Sequence, residues 1–380
     1  MERLRKTKDE LDRADGTDQP KYQLIFECLK AGILSGEYVH GARLPSENDL
    51  VRRFGVSRMT IVKAIKELQQ IGLVVRRAGS GTYVKSSQAG TSRLFGLLIP
   101  ELGQTEIFEP ICQGMANLPL ASQHSLLWCN SVGLNQAKEE VAEELCYKYI
   151  SQRVSGVFFA PLELTPAMDE VNQRITAALD RANIQVVLLD RCFYPYPSRS
   201  KYDLVGIDNR RAAYGATEHL IQCGARKIAF LGKRLSASTV DARIAGYREA
   251  LLAHRYPRDE DLVFRLDPNE TQQIRPILDR YRPDAFLCAN DHTAANLMKT
   301  LIELGVRIPE EIRLVGIDDV KYASLLPIPL STQHQPCLDI GRVAVSTMLD
   351  RIENPNLPTR DISLSCRLII RKSCGAQTGS

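Results

Sequence analysis

Residues 44–84, LPSENDLVRRFGVSRMTIVKAIKELQQIGLVVRRAGSGTYV, leave few choices of local fold. Ser46 followed three residues later by Asp49 reads as a capping box, with Leu50 and Phe54 turned inward. Gly55 and Val56 make a tight turn. Ser57 then caps a second helix running to about Ile71, whose buried stripe is Ile61, Ala64, Ile65, Leu68 and Ile71. Gly72 stands where a helix ends in left-handed backbone. Leu73–Arg77 and Thr82–Lys85 read as two short strands around Ala78–Gly81. Upstream, Pro20 suits the first position of another helix, with Tyr22, Ile25, Phe26, Leu29, Ile33 and Leu34 as its apolar stripe and Gly36 as its end. Helix, helix, helix, hairpin is the order of a winged helix-turn-helix.

Charge follows the same boundary. Residues 20–87 carry eleven Lys and Arg against five Asp and Glu, whereas residues 88–380 carry 33 against 34. The formal net charge of +4 thus hides a basic module on a neutral body, which points to a polyanion at one end only. In this geometry the Ser57-capped helix is the groove reader. Arg58 can grip a guanine edge with both guanidinium arms, worth roughly 1–3 kcal/mol of discrimination. Ser46, Ser57 and Thr60 can donate to phosphates near positive helix N-termini, and Lys63 and Lys66 lie off the buried stripe. Arg76 and Arg77 beside the glycine tip suit a wing on an adjacent groove. The tip itself lacks the spacing of a nucleotide-binding phosphate loop.

From Arg93 onward the texture changes. Apolar runs such as LFGLLIP, VSGVFFAP, IQVVLLD, KIAFLG, AFLCAN and IRLVGID alternate with helical patterns, among them 135–150, 166–182, 212–223, 242–254, 271–281 and 292–305. Continuous apolar strands separated by helices imply parallel sheets covered on both faces. About ten strands in some 280 residues fit two doubly wound α/β subdomains. The expected organisation is a flexible tail over 1–19, the winged helix over 20–86, a small polar linker over 87–92, and an α/β domain over 93–376. The latter divides into subdomains of about 93–197 plus 336–356 and about 198–335 plus 357–376. Crossings between them, and so hinges, are expected near Tyr194–Tyr202, Gln333–Cys337 and Asn354–Asp361.

Other classes find little support. Ten cysteines are scattered without a C-x-x-C pair and read as reduced, mostly buried side chains. Six histidines show no H-x-x-x-H spacing, so no zinc site is expected. No nucleophile elbow or paired catalytic carboxylates occur, so no enzyme and no cofactor is expected. No apolar run approaches the roughly 20 residues that span a bilayer, and the N-terminal stretch lacks an apolar core, which places the chain in the cytoplasm without a membrane partner.

The stretch LPSENDLVRRFGVSRMT with its trailing G-S-G-T-Y-V resembles the GntR-family winged helix over about seventy residues. The resemblance implies that Ser46, Glu47, Arg58, Thr60, Gly79 and Gly81 contact DNA or shape the site; with Ser57, Lys63 and Arg77 they make the candidate DNA-binding set. Met59 stands where several relatives carry threonine, which leaves base preference there open. The remainder, including VGIDNRRAAYGATEHLIQCGARKIAFLG, CANDHTAANLMKTLIELGVRIPEEIRLVGIDD and PLSTQHQP, resembles the LacI/GalR sensor, a periplasmic-binding-protein fold. That implies a ligand where parallel strands end, as general principle also does. Asp190, Asn290 and Asp318 follow strands, Arg191 neighbours the first, Arg243 opens RIAGYREAL, and Gln335 lies in the returning STQHQ segment. Gln104, Thr105 and Phe108 follow the first strand, and Phe108 and Tyr247 are candidates to stack on a sugar. Ala160 departs from the family pattern, where that strand end often carries a polar contact.

These residues imply a regulator, most simply a repressor, that grips palindromic operator DNA as a homodimer and is released by a small sugar such as L-arabinose. A purine or a sugar phosphate as effector, and a non-regulatory sugar receptor, are the alternatives.

Overall fold

The computed structural model describes residues 21–376 except 35–36, 39–40, 71–72, 78–79, 85–92, 101–105, 119–123, 129–136 and 257–261; for Leu34 and Arg77 it describes the backbone alone. The expected N-terminal tail, the linker, the Gly36 and Gly72 stops, and the residues Thr105 and Gly79 lie outside the described residues. The chain forms two compact units, residues 1–92 and 93–380.

In the first unit the order is α1 (Lys21–Leu34), α2 (Glu47–Phe54), α3 (Arg58–Gln70), β1 (Val74–Arg77) and β2 (Gly81–Val84). The capping box at Ser46 forms in full: the Asp49 amide donates to Ser46 Oγ while the Asp49 carboxylate accepts from the Ser46 amide. Gly55 closes α2 at φ +66°, a conformation that costs glycine nothing. Ile25, Leu29, Leu50, Ile61, Ala64 and Leu68 are fully buried, so the apolar stripes of all three helices meet in one core. The hairpin pairs Val74 with Val84 and Arg77 with Gly81. Residues 41–44 run beside β2, the Leu44 amide donating to Thr82 O at 2.8 Å.

The second unit holds two six-stranded sheets. One, ordered β4-β3-β5-β6-β7-β13, joins Ser125–Leu127, Leu94–Leu98, Gly156–Phe159, Gln185–Leu189, Asp203–Ile207 and Asp361–Leu364, all parallel. The other, ordered β9-β8-β10-β11-β12-β14, joins Val263–Arg265, Ile228–Gly232, Ala285–Cys288, Arg313–Asp318, Ser331–His334 and Arg367–Ile369, with only β14 antiparallel. Strands such as β5, β8 and β10 are buried at every position, as two covered faces require. Helices α4 (Phe108–Ala116) and α11 (Cys337–Glu353) cover one face of the first sheet, and α5 (Lys138–Ser151) and α6 (Met168–Arg181) the other. On the second sheet, α7 (Asn209–Gln222) and α8 (Ser238–Ala253) lie opposite α9 (Thr271–Tyr281) and α10 (Asp291–Glu303). Helices α7 and α8 touch at backbone distance: a Cβ on Gly246 would sit 1.9 Å from Arg210 O.

The assignment of strands to sheets corrects the expected subdomain division. Strand β7, placed by sequence in the second subdomain, pairs with β6 in the first sheet, and β13 pairs with β7. The cause is Asp203, whose side chain is fully buried at the start of β7. It accepts from Arg351 at 2.8 and 3.0 Å, at the end of α11, and from the Arg360 amide at 2.8 Å, just before β13. That clasp carries the chain back alongside β7. The crossings therefore fall at 207–209, 334–337 and 364–367; only the middle one lies where the sequence put it.

Candidate nucleic-acid interface and ligand cleft

In the first unit, one surface depression of about 230 Å³ is lined by Arg43, Ser46, Glu47, Arg58, Arg76 and Gly81, among others. Five of the sequence-predicted residues, Ser46, Glu47, Arg58, Arg76 and Gly81, thus meet there. Glu47 sits between two cations: it accepts from Arg58 Nε at 3.1 Å and from Arg76 at 2.8 Å. The side chains of Arg58 and Arg76 stay 70% and 55% exposed, so the carboxylate orients two guanidinium groups that remain open to a partner. Ser57 caps α3: its Oγ accepts from the Thr60 amide at 3.3 Å and lies 2.8 Å from Thr60 Oγ. Met59 is 76% exposed at the same tip. Lys63 rests its ammonium 3.6 Å from the centre of the Tyr22 ring, held against α1. Gly81 takes φ +113°, a strained conformation for any other residue, and a Cβ there would fall 2.6 Å from Arg43 Nε and displace that side chain. Arg43 is the cation that the sequence reading missed; the signal was its place one residue before the LPSE run. Arg77 has its backbone in β1.

In the second unit a cavity of about 310 Å³ lies between the sheets, at the C-terminal ends of the parallel strands. Phe108, Asp190, Arg191, Arg243, Asn290 and Asp318 all line it. Gln335 does not reach the wall, but donates to Asp318 Oδ1 at 2.6 Å from behind.

Two guanidinium groups organise this cleft. Arg191, 8% exposed, donates to Pro161 O at 2.9 Å and to Glu163 at 2.5 Å, and lies 5.6 Å from the Phe108 ring centre. Arg243, 4% exposed, donates to Asn209 Oδ1 at 2.8 Å and Ala289 O at 2.5 Å, and stands 3.9 Å from Asp318. Asn290 spends its Oδ1 as N-cap of α10, accepting from the Thr293 amide at 2.8 Å. Asp190 takes a left-handed backbone at φ +66° that aims its carboxylate into the cleft, and its Oδ1 is buried with no hydrogen-bond partner. Burial pushes both Asp190 and Asp318 above the usual carboxylate range, against the pull of the arginines. For Glu163 burial acts the same way, but Arg191 and the Ala237 amide at 3.1 Å outweigh it and hold it ionised.

Glu163 is the acid that the sequence reading missed. It lies three residues beyond Ala160, the strand end where the family's polar contact is absent, and lines the cavity. Asp291 was also missed: wholly buried, it accepts from Thr332 Oγ at 2.6 Å and the Val320 amide at 3.1 Å, and burial raises it to about 6. Tyr247 is corrected. Its ring is buried in the second subdomain against Phe230, its hydroxyl donating to Ile228 O, so it cannot stack on a ligand. Phe108 is likewise 1% exposed beneath Arg191.

A winged helix with open arginines, followed by a two-sheet cleft lined with buried charges, defines a ligand-responsive transcription regulator. Residues 21–84 match the family model of bacterial regulatory proteins, gntR family, and residues 217–374 match that of the periplasmic binding protein-like domain. The chain thus fuses a GntR-type headpiece to a LacI-type, periplasmic-binding-protein-like domain. It is similar to the HTH-type transcriptional repressor PurR of Vibrio atlanticus, 27% identical over 86% of this chain and 97% of the relative. It is also similar to the arabinose metabolism transcriptional repressor of Geobacillus stearothermophilus, 26% identical over 93% of this chain and 97% of the relative, a span that includes the headpiece. Among solved structures, a transcriptional regulator CelR–cellobiose complex superposes with a TM-score of 0.62 at 25% identity, covering 84% of this chain and 91% of that one.

Proposed function

We propose that this protein is a transcriptional repressor that binds a palindromic operator as a homodimer in the cytoplasm and is released when a small neutral sugar such as L-arabinose occupies the cleft. What carries the effector class is the charge balance of the cavity wall: Glu106, Glu163, Asp190 and Asp318 stand against Lys138, Arg191, Lys233 and Arg243, with Asp190 Oδ1 left over as an acceptor. A polyol supplies hydroxyl donors to the carboxylates and acceptors to the guanidinium arms without adding charge. A sugar phosphate would bring about two negative charges to a wall that has no cation in excess. A purine calls for an exposed aromatic face, and Phe108 and Tyr247 are both buried. The relative named for arabinose metabolism, whose similarity extends over both units, supports the same reading. The PurR relative makes a purine the outcome to test against.

The experiment is a thermal-shift screen of free pentoses, hexoses, phosphorylated sugars and purines, followed by gel shift with genomic operator fragments. The reading expects a free sugar to raise the melting temperature and to release DNA. Stabilisation by purines alone, or by phosphorylated sugars alone, would overturn the effector class while leaving the DNA-binding role standing.

A further inference from the structure

Away from the cleft, three soft ligand atoms converge at the other end of the second subdomain. His219 stands in the last turn of α7 and Cys223 follows as its C-cap, an i, i+4 pair on one helix face. Cys374 comes from the segment beyond β14. His219 Nε2 lies 3.5 Å from Cys223 Sγ, and the three ligand atoms all fall within 4.8 Å of one another. Tetrahedral zinc with Zn–S near 2.3 Å and Zn–N near 2.05 Å sets sulfur and nitrogen about 3.6 Å apart and two sulfurs about 3.8 Å apart. His219 and Cys223 therefore stand at ligand spacing already, and small rotations would bring Cys374 to it.

The setting suits a metal. Cys374 is fully buried, His219 nearly so, and Cys223 is only half-buried, which leaves a route in from solvent. The tail that carries Cys374 is fixed before any ion arrives: Ser373 Oγ donates to Leu314 O and accepts from the Ser331 amide, while the Arg371 amide donates to Ser331 Oγ. We infer that His219, Cys223 and Cys374 form a binding site for a thiophilic metal ion of the zinc class, with three protein ligands and one position open. H-x-x-x-C is half a motif, and its third ligand comes from about 150 residues further along the chain, so no local spacing marks the site.

The bound ion would tie the C-terminal segment to α7. It would not touch the effector: Asn209, which contacts Arg243, is ten residues before His219 on the same helix, about 15 Å along its axis. The test uses the reduced, chelator-stripped full chain. Titration with Co²⁺ is expected to give one equivalent with tetrahedral ligand-field bands and a near-ultraviolet thiolate charge-transfer band, both bleached by Zn²⁺. Cys223→Ser, at a half-buried cap, should bind at least tenfold more weakly and lose most of the charge-transfer intensity. It should retain wild-type effector stabilisation, which reports that it is folded. Independently of any variant, Zn²⁺ should protect Cys223 and Cys374 from alkylation, read by peptide mass spectrometry, while Cys112 reacts equally with or without metal. Absence of the charge-transfer band, an undiminished band in Cys223→Ser, or equal alkylation of Cys223 and Cys374 with and without zinc would each overturn the site.

Discussion

Arg243→Lys isolates what the guanidinium fork does in the cleft. Arg243 donates through Nε to Asn209 and through a terminal nitrogen to Ala289 O, and its other terminal nitrogen faces Asp318 at 3.9 Å. A lysine keeps the positive charge, so the carboxylates of Asp190 and Asp318 are not abandoned. A single ammonium on an unbranched stem cannot reach both acceptors and still face the cavity. One charge-assisted hydrogen bond is therefore lost from the scaffold, about 1.5–3 kcal/mol. In a unit of this size each kcal/mol moves the melting temperature by roughly 2–4 °C, so the ligand-free variant should melt about 3–12 °C lower. The arm lost to the effector removes a similar energy from binding, a roughly 10- to 150-fold weaker dissociation constant. Calorimetry with the sugar that stabilises the wild type measures the second effect, and scanning fluorimetry the first. Operator affinity without sugar should stay within about threefold of wild type, because the headpiece is a separate unit. Sugar affinity unchanged within threefold, at a lowered melting temperature, would refute the argument: Arg243 would then be scaffold alone.

Three further perturbations follow from the same geometry. Arg58→Ala removes a guanidinium that Glu47 orients and should weaken operator binding by about 1–3 kcal/mol at each guanine it reads, with sugar-induced stabilisation intact; fluorescence anisotropy with matched and mutated operators checks it. Asp203→Asn strips the shared carboxylate from Arg351 and Arg360 and should cost about 3–5 kcal/mol in urea unfolding at pH 7. Burial acts to raise Asp203, but the two arginines hold its carboxyl below the usual range, so this contribution is present above about pH 4 and fades on further acidification; the deficit of Asp203→Asn should shrink there. Asp291 has the opposite sign. Raised by burial from 3.8 to about 6, it binds more protons folded than unfolded, so wild-type stability declines as pH rises from about 4 to about 6 and levels off above. Asp291→Asn should lack that decline, and a difference from wild type that does not vary with pH across the window would contradict it.

Much of the architecture was readable because the local signals agreed with one another. The Ser46 box, the Gly55 turn and the stripe Ile61–Leu68 each require the same helix pair, and the pair is there. The strands that were legible are those buried on both faces, such as β5 and β10. Strands β9, β13 and β14 are three or four residues long and half-exposed, so they carry no run to read. Helices α4 and α11 were not among the helical patterns read, and they pack so closely that Gly114 and Gly341 face each other's backbone. Around the cleft, Asp190 and Asp318 were legible because they stand at strand ends, and Arg243 through the resemblance of RIAGYREAL to the sensor family. Glu163 and Asp291 were not, since nothing local distinguishes a carboxylate that meets its partner only across the fold. Tyr247 was misplaced because helical periodicity does not say which face of α8 looks into the cleft.

The described cleft is closed by few direct contacts. The Leu164 amide donates to Leu235 O, the Ala237 amide to Glu163, Ser238 Oγ to Cys192 O, and Lys321 Nζ to the exposed Glu109, each bond joining one subdomain to the other. At about 0.5–1.5 kcal/mol apiece the first three contribute roughly 2–4 kcal/mol. Against them stand Asp190 Oδ1 and Gln335 Oε1, buried without partners, at about 1–3 kcal/mol each. The two sets nearly cancel, so on the proposed reading the empty cleft lies near balance between open and closed. Shifting such an equilibrium from 1:99 to 99:1 takes about 5.5 kcal/mol of differential affinity. A ligand that gives Asp190 a hydroxyl donor and engages Arg191 and Arg243 only when the subdomains meet supplies energy of that order. A hydrophobic ligand of equal volume would fill the 310 Å³ but leave Asp190 unpaired, and so would bind without closing. The polarity of the wall, more than the size of the cavity, is what makes the cleft a switch.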